Sequence, residues 1–135
     1  MKDDEIKRFK ALAEKYDLQA TDFWKSPQGF VIISRRGIEK IQNGLNAVVY
    51  FDTVPEFSSP QDNKFVVKAI GHIEQEDKSL TKMTQTFGES SPKNTRGGAQ
   101  AYPIAMAEKR ALSRCILKMS DLYTLNVFGE DEINE

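Results

Sequence analysis

Four basic side chains in the last third of the chain have the type and spacing to hold a phosphate backbone. Lys109 and Arg110 are adjacent, and Arg110, Arg114 and Lys118 recur at i, i+4 and i+8, which on a helix makes one narrow cationic ridge. The segment Ala101–Met119 (AYPIAMAEKRALSRCILKM) reads as that helix, with Pro103 suited to a first turn where a missing N–H costs nothing. Ile104, Ala105, Leu112, Cys115, Ile116 and Met119 fall on a separate apolar arc. Met106 and Leu117 lie outside that arc, close to Arg110 on the wheel. Upstream, Gly88–Gln100 (GESSPKNTRGGAQ) is nearly free of apolar residues, carries Lys93 and Arg96, and ends in Gly97-Gly98. Connections of that length are usually functional or mobile.

A protein that holds a single strand without reading its sequence needs cations along the backbone and rings or flat guanidinium groups against the bases. Lys93, Arg96, Lys109, Arg110, Arg114 and Lys118 meet the first need. Backbone N–H groups of the glycine-bearing loop can add hydrogen bonds to phosphate. Tyr102 is the nearest ring, and Trp24, Tyr50 and Phe51 are further candidates. For each of these rings a place in the core is the competing reading.

The charge distribution fits this reading better than the total does. Nineteen Lys and Arg against twenty Asp and Glu leave a net −1. The acids gather at the two ends, in Asp3-Asp4-Glu5 and in Glu130-Asp131-Glu132 with Glu135. Gly88–Lys118 holds six bases and two acids, Glu89 and Glu108, a local excess of positive charge that a bound polyanion senses within about a Debye length, ~8 Å.

Other chemistries lack their residues. There is no GxxxxGK[ST] loop for nucleotide-driven work and no GxGxxG fingerprint. His72 is the only histidine and sits in a strand-like run, so neither a triad nor a metal cluster is recognisable. Glu108 falls within the apolar arc, where an ion pair with a neighbouring base is the expectation. Cys115, the single cysteine, reads as core filler and points to a reducing compartment. No enzyme, no cofactor and no metal is expected. No apolar run reaches the ~20 residues of a membrane span, and no secretory signal follows the charged start, so a cytoplasmic location is expected.

These groups need a scaffold. Asp4–Tyr16 has the spacing of a short amphipathic helix, and Ile38, Ile41 and Leu45 suggest two further helical turns. Gly29–Arg35, Asn46–Val54, Lys64–Ile73 and Ser79–Phe87 read as strands, with short connections that favour an antiparallel meander. The expected class is α+β: about four meander strands packed against a long C-terminal helix and a short N-terminal one. One nucleic-acid-binding domain over 1–128 and an acidic, flexible tail over 129–135 are expected.

The string Lys109-Arg110-Ala111-Leu112, preceded by Phe87-Gly88 and by the loop with Gly97-Gly98, resembles the core of the single-strand annealing recombinases. That superfamily includes eukaryotic recombination-mediator proteins and phage annealing proteins of the Erf and Red-beta kind. The likeness spans roughly Lys64–Lys118. It implies a groove around a ring of subunits in which Lys109 and Arg110 hold the DNA backbone, with Arg114 standing one residue away from the family's next arginine. The expectation that follows is a phage-type single-stranded DNA-binding protein that promotes annealing without ATP. It would act as a homo-oligomer in the host cytoplasm, with recombination or replication proteins as possible partners of the acidic tail. The oligomer is expected to cover Met106 and Leu117. A protective binder that does not anneal is one alternative, and an assembly module with an acidic partner is another.

Overall fold

In the computed structural model, which describes residues 1–133, the long C-terminal helix is the element the others pack against. In chain order the structure has α1 (Asp3–Lys15), β1 (Phe23–Lys25), β2 (Val31–Ile33), α2 (Arg35–Leu45), β3 (Ala47–Thr53), β4 (Phe65–Glu74), β5 (Leu80–Ser90), α3 (Pro103–Met119) and β6 (Val127–Gly129). The class is α+β, with α3 lying on the strands.

Three of the four expected strands form the meander: β3, β4 and β5 pair antiparallel in that order. The fourth, β2, belongs instead to a second sheet, β1-β2-β6, where it pairs antiparallel with β1 and parallel with β6. Phe23–Lys25 and Val127–Gly129 are too short to show a period, so the sequence offers β2 no visible partner outside the meander.

Strand alternation orients the large sheet. Val67, Ala69 and Gly71 of β4 face α3, and a Cβ on Gly71 would come within 2.6 Å of Cys115 Sγ. At Gly88 of β5 the approach is closer, because a Cβ there would collide with the carbonyl of Ala107 and the N–H of Ala111. Residues of the opposite parity, Tyr50, Met83 and Phe87 among them, stay exposed, which leaves that sheet face open.

Because α3 contacts the large sheet, α2 and β6, it is buried well beyond one arc. Cys115, Ile116 and Met119 are in the core as expected, together with Ala107, Ala111 and Leu117. Ile104 and Ala105, in the first turn of α3, are exposed, against the expected apolar arc. Leu117 is 1% exposed, so it cannot be the uncovered interface residue expected, and Met106 is half-buried. No helix among the described residues is long and apolar enough to cross a membrane.

The acidic end is folded where a flexible tail was expected. Gly129 closes β6, and Glu130–Glu132 form a short turn against α3. The last two residues of the expected tail lie outside the described residues.

Candidate nucleic-acid interface

The basic ridge of α3 exists as a set of positions, but two of its three members are engaged inside the protein. Arg110 is 3% exposed. Its Nε donates to the carbonyl of Asp131 (2.8 Å), Nη1 to the carbonyl of Glu89 (2.9 Å) and to Asn94 Oδ1 (2.9 Å), and Nη2 to the carbonyl of Asn94 (2.6 Å). A guanidinium has five N–H groups in a fixed fork, and here four of them tie together β5, the following loop and the C-terminal turn. Arg110 is therefore a structural clamp, which corrects its expected place on an open groove.

Arg114 is neutralised. Its guanidinium meets Glu132 (2.5 and 2.8 Å) and Glu89 (2.9 and 3.0 Å) and donates to the carbonyl of Phe87 (2.7 Å). The hydrogen bonds it donates to Glu132, and then those to Glu89, outweigh burial and hold this guanidinium well above the ordinary arginine value. Glu89 in turn is pulled below the usual carboxylate range, chiefly by its hydrogen bond to Arg114. β5 is an edge strand, and the carbonyls of Phe87 and Glu89 that accept from Arg114 and Arg110 would otherwise invite another strand. The ridge thus closes a sheet edge.

The acidic turn completes the arrangement. Glu130 accepts the N–H of Arg35 at the start of α2 (2.6 Å), and Asp131 meets Ser113 Oγ (3.2 Å) and the Arg35 guanidinium (3.5 Å). The last acids of the described chain therefore sit over the bases of α3.

Lys109 and Lys118 do not share one trough with Arg110. Lys109 is half-buried and lines a small cleft with Ile38 and Glu39 of α2, while Arg110 reaches the loop after β5. Lys118 is exposed near the far end of α3, about 20 Å from its first turn at ~1.5 Å per residue, with its ammonium 5.8 Å from the centre of the Tyr123 ring. The expected Lys-Arg pair along a common groove is not formed. Glu108 is exposed and makes no ion pair among the described residues.

Of the predicted basic set, Lys118 at the far end of α3 and two groups on the loop have no carboxylate partner among the described residues. Lys93 and Arg96 are exposed with no carboxylate partner among the described residues, and Tyr102 is 69% exposed. The loop is less pliable than its composition suggests: Ser90 and Thr95 are buried and share a 2.8 Å hydrogen bond, and Gln100 Nε2 donates to the carbonyl of Thr95 (2.7 Å). Lys93 and Arg96 are held on a braced turn.

Arg96 and Arg110 line a cleft of about 230 Å³ together with Trp24 of β1. Trp24 is 42% exposed, because β1 turns Phe23 inward against Phe9 (ring centres 5.0 Å apart) and so turns its neighbour outward. Of the other candidate rings, Tyr50 is exposed on the open face of the large sheet, where it meets His72 edge-on, and Phe51 packs against the core. The nearness of Trp24 to Arg96 depends on pairing between two strands of three residues, for which the sequence carries no local signal.

No protein-family model matches the chain, and neither does any curated protein or solved structure.

Proposed function

We propose that this protein binds single-stranded DNA without a nucleotide cofactor and that it promotes pairing of complementary strands. The observation that carries the binding is which cations the fold leaves free. Arg110 and Arg114 are engaged by internal acceptors, whereas Lys93 and Arg96 stand unpaired on a braced loop, and Arg96 shares a cleft with the exposed ring of Trp24. Cations next to exposed rings are what a strand with unstacked bases requires. The finer reading, annealing by a phage-type recombinase in the cytoplasm, rests on the resemblance carried by Lys109-Arg110-Ala111-Leu112 and the glycine-bearing loop. On this reading Arg110 of that string braces the loop that meets the DNA.

The expected homo-oligomer is supported by the open face of the large sheet. Tyr50, Met83 and Phe87 are exposed there, while Ile70 and Val66 are half-buried. A Phe87→Lys variant is expected to sediment at lower mass than the parent chain, and equal masses at every dilution would remove that face from the interface.

Fluorescence anisotropy with labelled single- and double-stranded oligonucleotides tests the binding. The single strand is expected to bind more tightly, with affinity falling as salt rises. No anisotropy change with a single strand at low salt would end the proposal. Annealing is tested by energy transfer between labelled complementary oligonucleotides, where a rate no faster than the protein-free one would reduce the function to coating.

A further inference from the structure

Trp24 is the wall between two clefts. The smaller, about 230 Å³, has Arg96, Met106 and Arg110 among its other sides. The larger, about 620 Å³, is lined by Phe30, Ile32 and Phe128 and reaches Lys25. Cross-strand register explains the apolar side: Trp24 stands opposite Ile32, and Ile32 opposite Phe128, so the three form a row across the small sheet. The rings of Phe30 and Phe128 meet edge-on, 5.1 Å apart.

We infer that Trp24 is a stacking post for two neighbouring bases of one bound single strand, one base in each cleft, with the intervening backbone beside Arg96. This rests on the proposed function and names the atoms that would read the strand.

Size, chemistry and charge each support that occupant. The smaller cleft lies below the ~300–1,000 Å³ of a typical small-molecule site, so it suits one flat ring system. An indole offers two faces on which any base can stack, and an arginine plane adds cation–π contact.

Two carboxylates also border the clefts, Glu130 on the smaller and Glu132 on the larger. Glu130 is held by the N–H of Arg35 and Glu132 by Arg114. They repel a phosphate but can accept from base N–H groups, which directs the bases inward and the backbone outward toward Arg96. Lys93, on the same loop, extends the path for the next phosphate.

Trp24 is the only tryptophan of the chain, so its emission reports on this site alone. Oligothymidylate is expected to quench it with the midpoint found by anisotropy. An abasic strand of equal length is expected to bind through its phosphates without quenching. Trp24→Ala should weaken single-strand binding by about 5- to 150-fold, the range that alanine replacement of a stacking ring gives, and Trp24→Phe by less. Because the ring is exposed, both variants should keep the parent's circular dichroism. Binding by anisotropy with no quenching and an unaltered affinity of both variants would overturn the stacking post and leave the proposed function standing. Equal quenching by the abasic strand would overturn it too. Failure of every strand to bind would overturn both.

Discussion

Arg110→Ala should behave as the loss of a clamp, not as the loss of a ligand contact. The substitution removes donors to the carbonyls of Glu89, Asn94 and Asp131 and to Asn94 Oδ1. Each buried acceptor left unpaired costs about 1–3 kcal/mol, so losing four costs about 4 kcal/mol at the low end of that range, which applies because part of the loop relaxes into water. At roughly 3–5 °C per kcal/mol for a chain of this size, the melting temperature should fall by about 10–20 °C. Arg110→Lys should recover only a fraction, since an ammonium cannot span three carbonyls as a planar fork does. Lys109→Ala is the internal control: its half-buried side chain makes no hydrogen bond or ion pair among the described residues, and its cost should stay within ~0.5 kcal/mol. Thermal unfolding followed by far-ultraviolet circular dichroism measures all three. A melting temperature for Arg110→Ala within about 2 °C of the parent would refute the clamp and return Arg110 to the surface.

Three further outcomes follow from the packing. Gly88→Ala places a methyl against the backbone of Ala107 and Ala111, so it should cost at least ~3 kcal/mol in chemical denaturation, whereas Gly71→Ala meets only the flexible sulfur groups of Cys115 and Met119 and should cost about 1–2 kcal/mol. Arg114 lowers the Glu89 carboxyl from its ordinary 4.5, so the stability this contact contributes is complete above that pH and is lost as pH falls through the lowered value; Glu89→Gln should flatten the acid limb of a stability–pH curve below about pH 4.5. Cys115 is fully buried, and burial pushes its thiol pKa up, so a thiol reagent should label it only at the rate of unfolding, and immediate labelling of the folded protein would contradict its place in the core.

The long elements were legible because their periods are long enough to count. Ile38, Ile41 and Leu45 identify α2, and the β-branched runs identify β3 and β4 within a residue or two. The small sheet was not, since neither Phe23–Lys25 nor Val127–Gly129 has enough residues to show alternation. The cationic ridge shows a subtler limit. A helical wheel gives the angle at which Arg110 and Arg114 leave α3, but not what waits there. What waits is the edge of β5 and an acidic turn that returns from residues 130–132, contacts set by strand order and chain reversal. Acids concentrated at a chain end read as a solvated tail, yet Glu132 pairs with Arg114 inside the charge excess of Gly88–Lys118, and Asp131 pairs with Arg35. The one legible hint was complementary charge between two segments of the same chain.

The salt dependence of single-strand binding by two variants bears most directly on where the DNA lies. Each neutralised phosphate contributes about 0.7 to the log–log slope for a single strand, so Lys93→Ala/Arg96→Ala should reduce the slope by about 1.4. Lys118→Ala, at the opposite end of α3 beside Tyr123, should leave the slope at the parent value. Equal slopes for the loop variant and the parent, or a loss confined to Lys118→Ala, would contradict the assignment of the binding surface to the loop and the Trp24 clefts.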